Sequence, residues 1–206
     1  MKWIATLLLA GLLAGCGRFD GPFVNDPPTA TGPWVAFGDS LTEGYGASRE
    51  EAYPAVFTKL TAIKVRNFGI SGDTTQDGLN RVEEVAKLKP RVVLLCLGGN
   101  DTLRQVPRET TFANLEKLID RFHREGSFVV LIGVRSASLL RDKNDEWFEK
   151  LAEKKKVLLL DDILAGVMFN RELMSDQLHP NAQGYAKIAE RFAMELAPHL
   201  PRLRGQ

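Results

Sequence analysis

The amino-acid sequence predicts an α/β protein built on a five-stranded parallel sheet with helices on both faces. Two observations carry this expectation. Five short apolar runs, at 34–37, 63–68, 91–97, 128–134 and 157–160, alternate with stretches whose apolar residues recur every three or four positions. The run at 91–97 is also nearly unbroken, as expected of a strand buried on both faces. Such strand–helix alternation implies a parallel sheet with helices packed above and below it.

Taken in order, the strand at 34–37 leads into Gly38-Asp39-Ser40-Leu41, and that at 63–68 into Gly69-Ile70-Ser71-Gly72-Asp73. Leu79, Val82, Val85 and Ala86 then share one face of a helix, and Thr74 with Asp77 forms a capping-box pattern at its start. The strand at 91–97 holds Cys96, read as a small core residue, and ends in Gly98-Gly99-Asn100-Asp101. Phe112, Leu115, Leu118, Ile119 and Phe122 give the clearest helical stripe. Trp147, Phe148 and Leu151 mark a further helix, whose basic end, Lys154 to Lys156, is read as solvated. Tyr185, Ile188, Ala189, Phe192 and Leu196 mark the last helix. These stripes are read as core.

The chain has 206 residues, 44% of them hydrophobic, enough for one domain with a sizeable core and too few for two ordinary ones. Lys and Arg total 27 against 26 for Asp and Glu, so no net charge draws the protein to nucleic acid. The amino terminus reads as an address. Lys2 precedes an apolar stretch from Trp3 to Leu13, too short for a mature membrane-spanning helix, which needs about 20 residues. It has the layout of a signal peptide over residues 1–15. Its end, Leu13-Ala14-Gly15-Cys16, resembles the lipobox of bacterial lipoproteins. That resemblance implies acylation of Cys16, export and a membrane anchor, with Gly17 favouring the outer membrane in a diderm cell. Residues 16–33 are read as a flexible tether rich in Gly and Pro, and residues 34–206 as the folded domain.

Functional residues in such a fold belong on loops at the carboxyl ends of strands. Ser40, Gly72 and Asn100 each follow a strand, and Asp176 and His179 precede the last helix. Singly, each is an ordinary turn or cap residue. Together they supply the parts of an acyl-transfer site. A serine hydroxyl needs a base, imidazole titrates near working pH, and a carboxylate fixes its tautomer. Asp176 and His179 are three apart, close enough for one turn of chain to join them. The backbone N–H groups of Ser40 and Gly72 and the side-chain amide of Asn100 are candidate oxyanion donors. Asp39 and Asp73, beside these positions, are read as turn-holding scaffold.

These blocks, FGDSL, NFGISGDT, LGGND and DQLHP, resemble those of the SGNH hydrolases, also called GDSL esterases or lipases. The similarity runs from Phe37 to the last helix and is greatest to the bacterial thioesterase/lysophospholipase and arylesterase branch. It implies a flavodoxin-like three-layer α/β/α sandwich, Ser40, His179 and Asp176 as catalytic triad, no metal and no cofactor. It also implies a small acyl ester or thioester substrate, with no obligate protein partner evident. Many relatives carry a proline-containing loop after the fourth strand, where this chain has Gly133-Val134-Arg135-Ser136-Ala137-Ser138. A carbohydrate O-acetylesterase and a non-catalytic lipid-tethered binding protein are the alternatives.

Other readings carry less. No G-x-S-x-G elbow or P-loop is present, and Gly44-Tyr45-Gly46 is half of a dinucleotide fingerprint without its third glycine. His123, His179 and His199 lack metal-ligand spacing. His123 is read as a surface cation complementing a helix end, and His199 as a solvated tail residue.

Overall fold

A computed structural model describes residues 20–134 and 144–205 of the chain. Cys16 and residues 135–138 of the loop after the fourth strand lie outside the described residues. Five strands form one sheet: β1 (Trp34–Gly38), β2 (Val65–Gly69), β3 (Val92–Cys96), β4 (Phe128–Ile132) and β5 (Leu158–Leu160). All pairs are parallel and the spatial order is β2-β1-β3-β4-β5, the flavodoxin-like order.

Successive strand residues point to opposite faces, so each strand feeds two cores. Ala36, Leu94, Val130 and Leu160 face α2 (Tyr53–Thr61) and α7 (Ala182–Leu196), meeting Tyr53, Phe57, Tyr185 and Phe192. Phe37, Leu95, Leu131 and Leu159 face α3 (Thr75–Ala86), α5 (Arg108–Arg124) and α6 (Asn144–Lys155), meeting Val82, Leu118, Phe122 and Phe148. β1, β3 and β4 are buried along their whole length, whereas β2 is a half-buried edge. The expected helical stripes fall in α3, α5, α6 and α7, and the Thr74–Asp77 capping box is present at the start of α3. Cys96 is wholly buried, and burial pushes its thiol well above the ordinary range. Helix α2 is an element that apolar periodicity did not announce. It is nine residues long, with Pro54 in its first turn, and its buried residues, Tyr53, Pro54 and Phe57, make too short a stripe to stand out in the sequence.

The expected tether is corrected over its later part. Residues 23–33 pack across the amino-terminal edge of the sheet. Phe23 meets the ring of Phe128 edge-on at 5.8 Å, and the Val24 N–H donates to the Lys156 carbonyl at 2.9 Å. The Asn25 amide donates to the carbonyls of His123 and Ser127, at 3.0 and 2.9 Å. Thr29 and Ala30 bond the Gly126 carbonyl, and Gly32 that of Lys89. A segment rich in Gly and Pro has no period of its own, yet its backbone here satisfies carbonyls of the loops that lead into β3, β4 and β5.

The structure changes the reading of two histidines. His123 is partly buried, and loss of hydration pushes its pKa down to about 4. It is therefore neutral near pH 7 and does not complement the helix end as a cation. His199 packs edge-on against Phe23 at 5.7 Å rather than standing in solvent, and burial lowers its pKa.

Candidate active site

The strand order reverses at β1, where connections leave in opposite directions and open a crevice at the carboxyl ends of the strands. β1 stops at Gly38, where an added Cβ would meet the Cys96 carbonyl at 2.4 Å. Asp39 then caps a one-turn helix, α1 (Ser40–Glu43), by accepting from the Leu41 N–H at 3.1 Å. Ser40 is thereby the first residue of a helix at a strand end, with its side chain on the crevice. Asp39 itself is buried, and the lost hydration raises its pKa to about 7, against the bond from Leu41.

His179 comes from the loop before α7. The Ser175 N–H and hydroxyl donate to the His179 carbonyl at 2.8 and 3.0 Å, closing that loop on itself. Asn181 then caps α7 through the N–H groups of Gln183 and Gly184. Asp176 Oδ1 accepts from the backbone N–H groups of Leu178 and His179, at 2.7 and 2.8 Å. Its Oδ2 lies 2.8 Å from His179 Nδ1. Burial works against the Asp176 charge, but the His179 ring and these two N–H groups outweigh it and hold the carboxyl below its ordinary pKa. A carboxylate only accepts, so the imidazole proton sits on Nδ1 and Nε2 is left as acceptor. That Nε2 lies 3.0 Å from Ser40 Oγ. The structure thus joins Ser40, His179 and Asp176 in one chain of hydrogen bonds, across 139 residues of sequence.

Gly72 and Asn100 line the same cavity, of about 240 Å³, as Ser40 and His179. Gly72 has φ +86°, a left-handed conformation that favours glycine. Asn100 begins the turn after β3, inside α4 (Gly99–Leu103), and its amide donates to the Asp73 carbonyl at 3.0 Å. Asp73 is fixed by Arg81 at 2.6 Å, and Arg81 also donates to the Gly38 carbonyl at 2.9 Å. Asp39 and Asp73 thus hold turns, in the manner the sequence suggests. Asp101 is buried and accepts from the Thr75 N–H at 2.8 Å, linking the Asn100 turn to α3.

Several residues at the site carry no sequence signal of their own. Glu43 accepts from the Ser71 N–H at 2.8 Å and from the Ser71 hydroxyl. Arg104 donates to the Gly72 carbonyl at 2.8 Å. Tyr45 lies against the His179 ring with centroids 4.6 Å apart. Leu103, Val134, Leu164, Met168 and Leu178 form an apolar wall of the cavity. Half of a nucleotide fingerprint was the only pattern around Tyr45. Its flanking glycines do take left-handed φ values, 99° at Gly44 and 92° at Gly46, but they turn the chain toward His179 rather than around a phosphate.

An arrangement of hydroxyl, imidazole and carboxylate at a crevice lined by an apolar wall can carry out acyl transfer. Comparison with known proteins agrees. Residues 36–187 match the model of the GDSL-like Lipase/Acylhydrolase family. The chain is 34% identical over 177 residues to an arylesterase of Vibrio mimicus, covering 81% of this chain and 88% of that protein. It is likewise 34% identical over 172 residues to thioesterase 1/protease 1/lysophospholipase L1 of Escherichia coli K12, covering 80% and 83%. Among solved structures, that of TesA superposes with a TM-score of 0.76 at 27% identity, covering 82% of this chain and 99% of the other.

Proposed function

The chain belongs to the GDSL-like lipase/acylhydrolase family, and from that premise we propose that it hydrolyses carboxylic esters through Ser40, His179 and Asp176 with an acyl-enzyme intermediate. The observation that carries this reading is the 3.0 Å contact between Ser40 Oγ and His179 Nε2, with Asp176 on the far side of the ring at 2.8 Å. Ser40 Oγ attacks the ester carbonyl carbon while its proton passes to His179 Nε2. The carbonyl oxygen, now anionic, takes N–H donors from the Ser40 and Gly72 backbones and from the Asn100 amide. The tetrahedral species collapses, and the leaving alcohol or thiol departs with the proton from His179. Water then attacks the acyl-Ser40 carbonyl, giving a proton to His179, and the carboxylic acid leaves as Ser40 is restored.

The apolar wall supports an acyl chain in the cavity, and the named relatives suggest aryl esters, short acyl esters, thioesters and lysophospholipids as the substrate class. An organophosphonate ester tests the reading directly. One phosphonyl group is expected on Ser40, with labelling and ester turnover both lost in Ser40→Ala. Labelling that persists in Ser40→Ala would overturn the assignment.

For location, the Leu13-Ala14-Gly15-Cys16 sequence supports export and lipid attachment at Cys16. Cys16→Ser is expected to move the protein from the membrane fraction to the soluble one without altering esterase activity. Wild-type protein found wholly soluble after export would refute the anchor.

A further inference from the structure

We propose that Tyr45 is a positioning residue for His179, and that its ring, rather than its hydroxyl, does this. The inference rests on the triad reading above and adds to it a residue from the nucleophile's own segment.

Three independent features press Tyr45 onto the imidazole. Gly44 and Gly46, on either side of it, both have left-handed φ values, which let the chain turn sharply after α1. An added Cβ on Gly46 would lie 2.1 Å from Ser175 Oγ and 2.6 Å from the Pro180 carbonyl, so this turn is packed directly on the loop that carries His179. The hydroxyl of Tyr185, a buried residue of α7, donates to the Tyr45 carbonyl at 2.9 Å. With its backbone held from α7, the Tyr45 side chain rests against His179, the ring planes 49° apart. Tyr45 is nonetheless 55% exposed, so burial in the core does not account for its place.

The ring can do two things there. It closes one side of the imidazole, leaving the orientation in which Nδ1 meets Asp176 and Nε2 meets Ser40. It also presents an aromatic π face near a ring that becomes cationic when it takes the Ser40 proton. Both effects belong to the transition state more than to substrate binding, so they act on kcat rather than KM. Neither needs the phenol oxygen.

The test compares Tyr45→Leu and Tyr45→Phe, in the full chain and again with Asp176→Asn. The readouts are steady-state hydrolysis of 4-nitrophenyl acetate and the rate of Ser40 phosphonylation. Tyr45→Leu is expected to lower kcat and the phosphonylation rate about tenfold with KM nearly unchanged, while Tyr45→Phe stays near wild type. In the Asp176→Asn background the effect of Tyr45→Leu should shrink to about twofold, because the Asn amide leaves the imidazole proton on Nε2 and a well-placed ring can no longer accept from Ser40. A loss confined to KM, or one equally large with Asp176→Asn, would make Tyr45 a substrate wall and overturn its action through His179. Unchanged kinetics in Tyr45→Leu, with Asp176→Asn strongly slowed, would overturn the role of Tyr45 alone. Full activity in Asp176→Asn would overturn the triad, and the role of Tyr45 with it.

Discussion

Arg104 donates to the carbonyl of Gly72 across 2.8 Å, so the turn that carries Asn100 also holds the loop that carries Gly72. Glu43 grips that loop from the other side, through the N–H and hydroxyl of Ser71. The two proposed oxyanion donors that lie outside the Ser40 turn are therefore fixed to each other and to α1. The Arg104 side chain is 58% exposed, so its contribution is modest. Arg104→Met is expected to lower kcat about two- to fivefold, leaving KM and the thermal midpoint unchanged. Ester kinetics beside a thermal melt would check this, and unaltered kcat would count against the coupling.

Asn100 separates an oxyanion donor from a turn former. A donor contributes mainly in the transition state, so Asn100→Ala should cost about 10²–10³ in kcat with little change in KM. Loss of the bond to the Asp73 carbonyl alone would instead lower stability and leave turnover largely intact. Asn100→Asp is nearly isosteric but places a negative charge near the forming oxyanion, and it should be at least as damaging as Ala. Most of the activity retained in Asn100→Asp would leave the hole to Ser40 and Gly72.

Asp39, which is buried, and His123, which is partly buried, set opposite slopes of stability against pH. Asp39 has a folded pKa of about 7 against an ordinary 3.8, so the folded state keeps a proton that the unfolded chain releases. Stability from Asp39 therefore falls as pH rises from about 4 to about 7. His123 has a folded pKa of about 4 against 6.5, so the unfolded chain takes the proton first, and stability is lost as pH falls through that window. Asp39→Asn, which keeps an acceptor for the Leu41 N–H, should raise the urea midpoint at pH 8 and change it little at pH 4. His123→Gln should flatten the acid-side fall. Parallel urea midpoints for wild type and variants across pH 4–8 would show both groups to be silent.

The docked amino-terminal segment makes a separate prediction. Asn25 takes φ 54°, a left-handed conformation that asparagine tolerates, and its amide serves two carbonyls at once. Asn25→Ala should cost about 1–3 kcal/mol, seen as a lower thermal midpoint with unchanged ester kinetics. An unaltered midpoint would return residues 23–33 to the status of a loose tether.

The sequence by itself determined the sheet, four of its covering helices and the places of the candidate site residues. The unbroken apolar runs of β1 and β3 and the 3–4 spacing of Phe112, Leu115, Leu118, Ile119 and Phe122 are properties of neighbours in the chain, so they can be read without coordinates. Ser40, Gly72 and Asn100 were legible for a related reason, since each directly follows a strand whose carboxyl end must face the crevice. Tertiary structure decided the rest. Tyr45 on His179, Arg104 on Gly72 and Asn25 on His123 and Ser127 join residues about 30 to 130 positions apart. Their meeting depends on how loops travel between elements, and a loop has no side-chain period to betray its path. The burial that neutralises His123 is tertiary as well. Helical spacing placed that residue near the end of α5, but only packing in the folded chain removed the water that would have kept its charge.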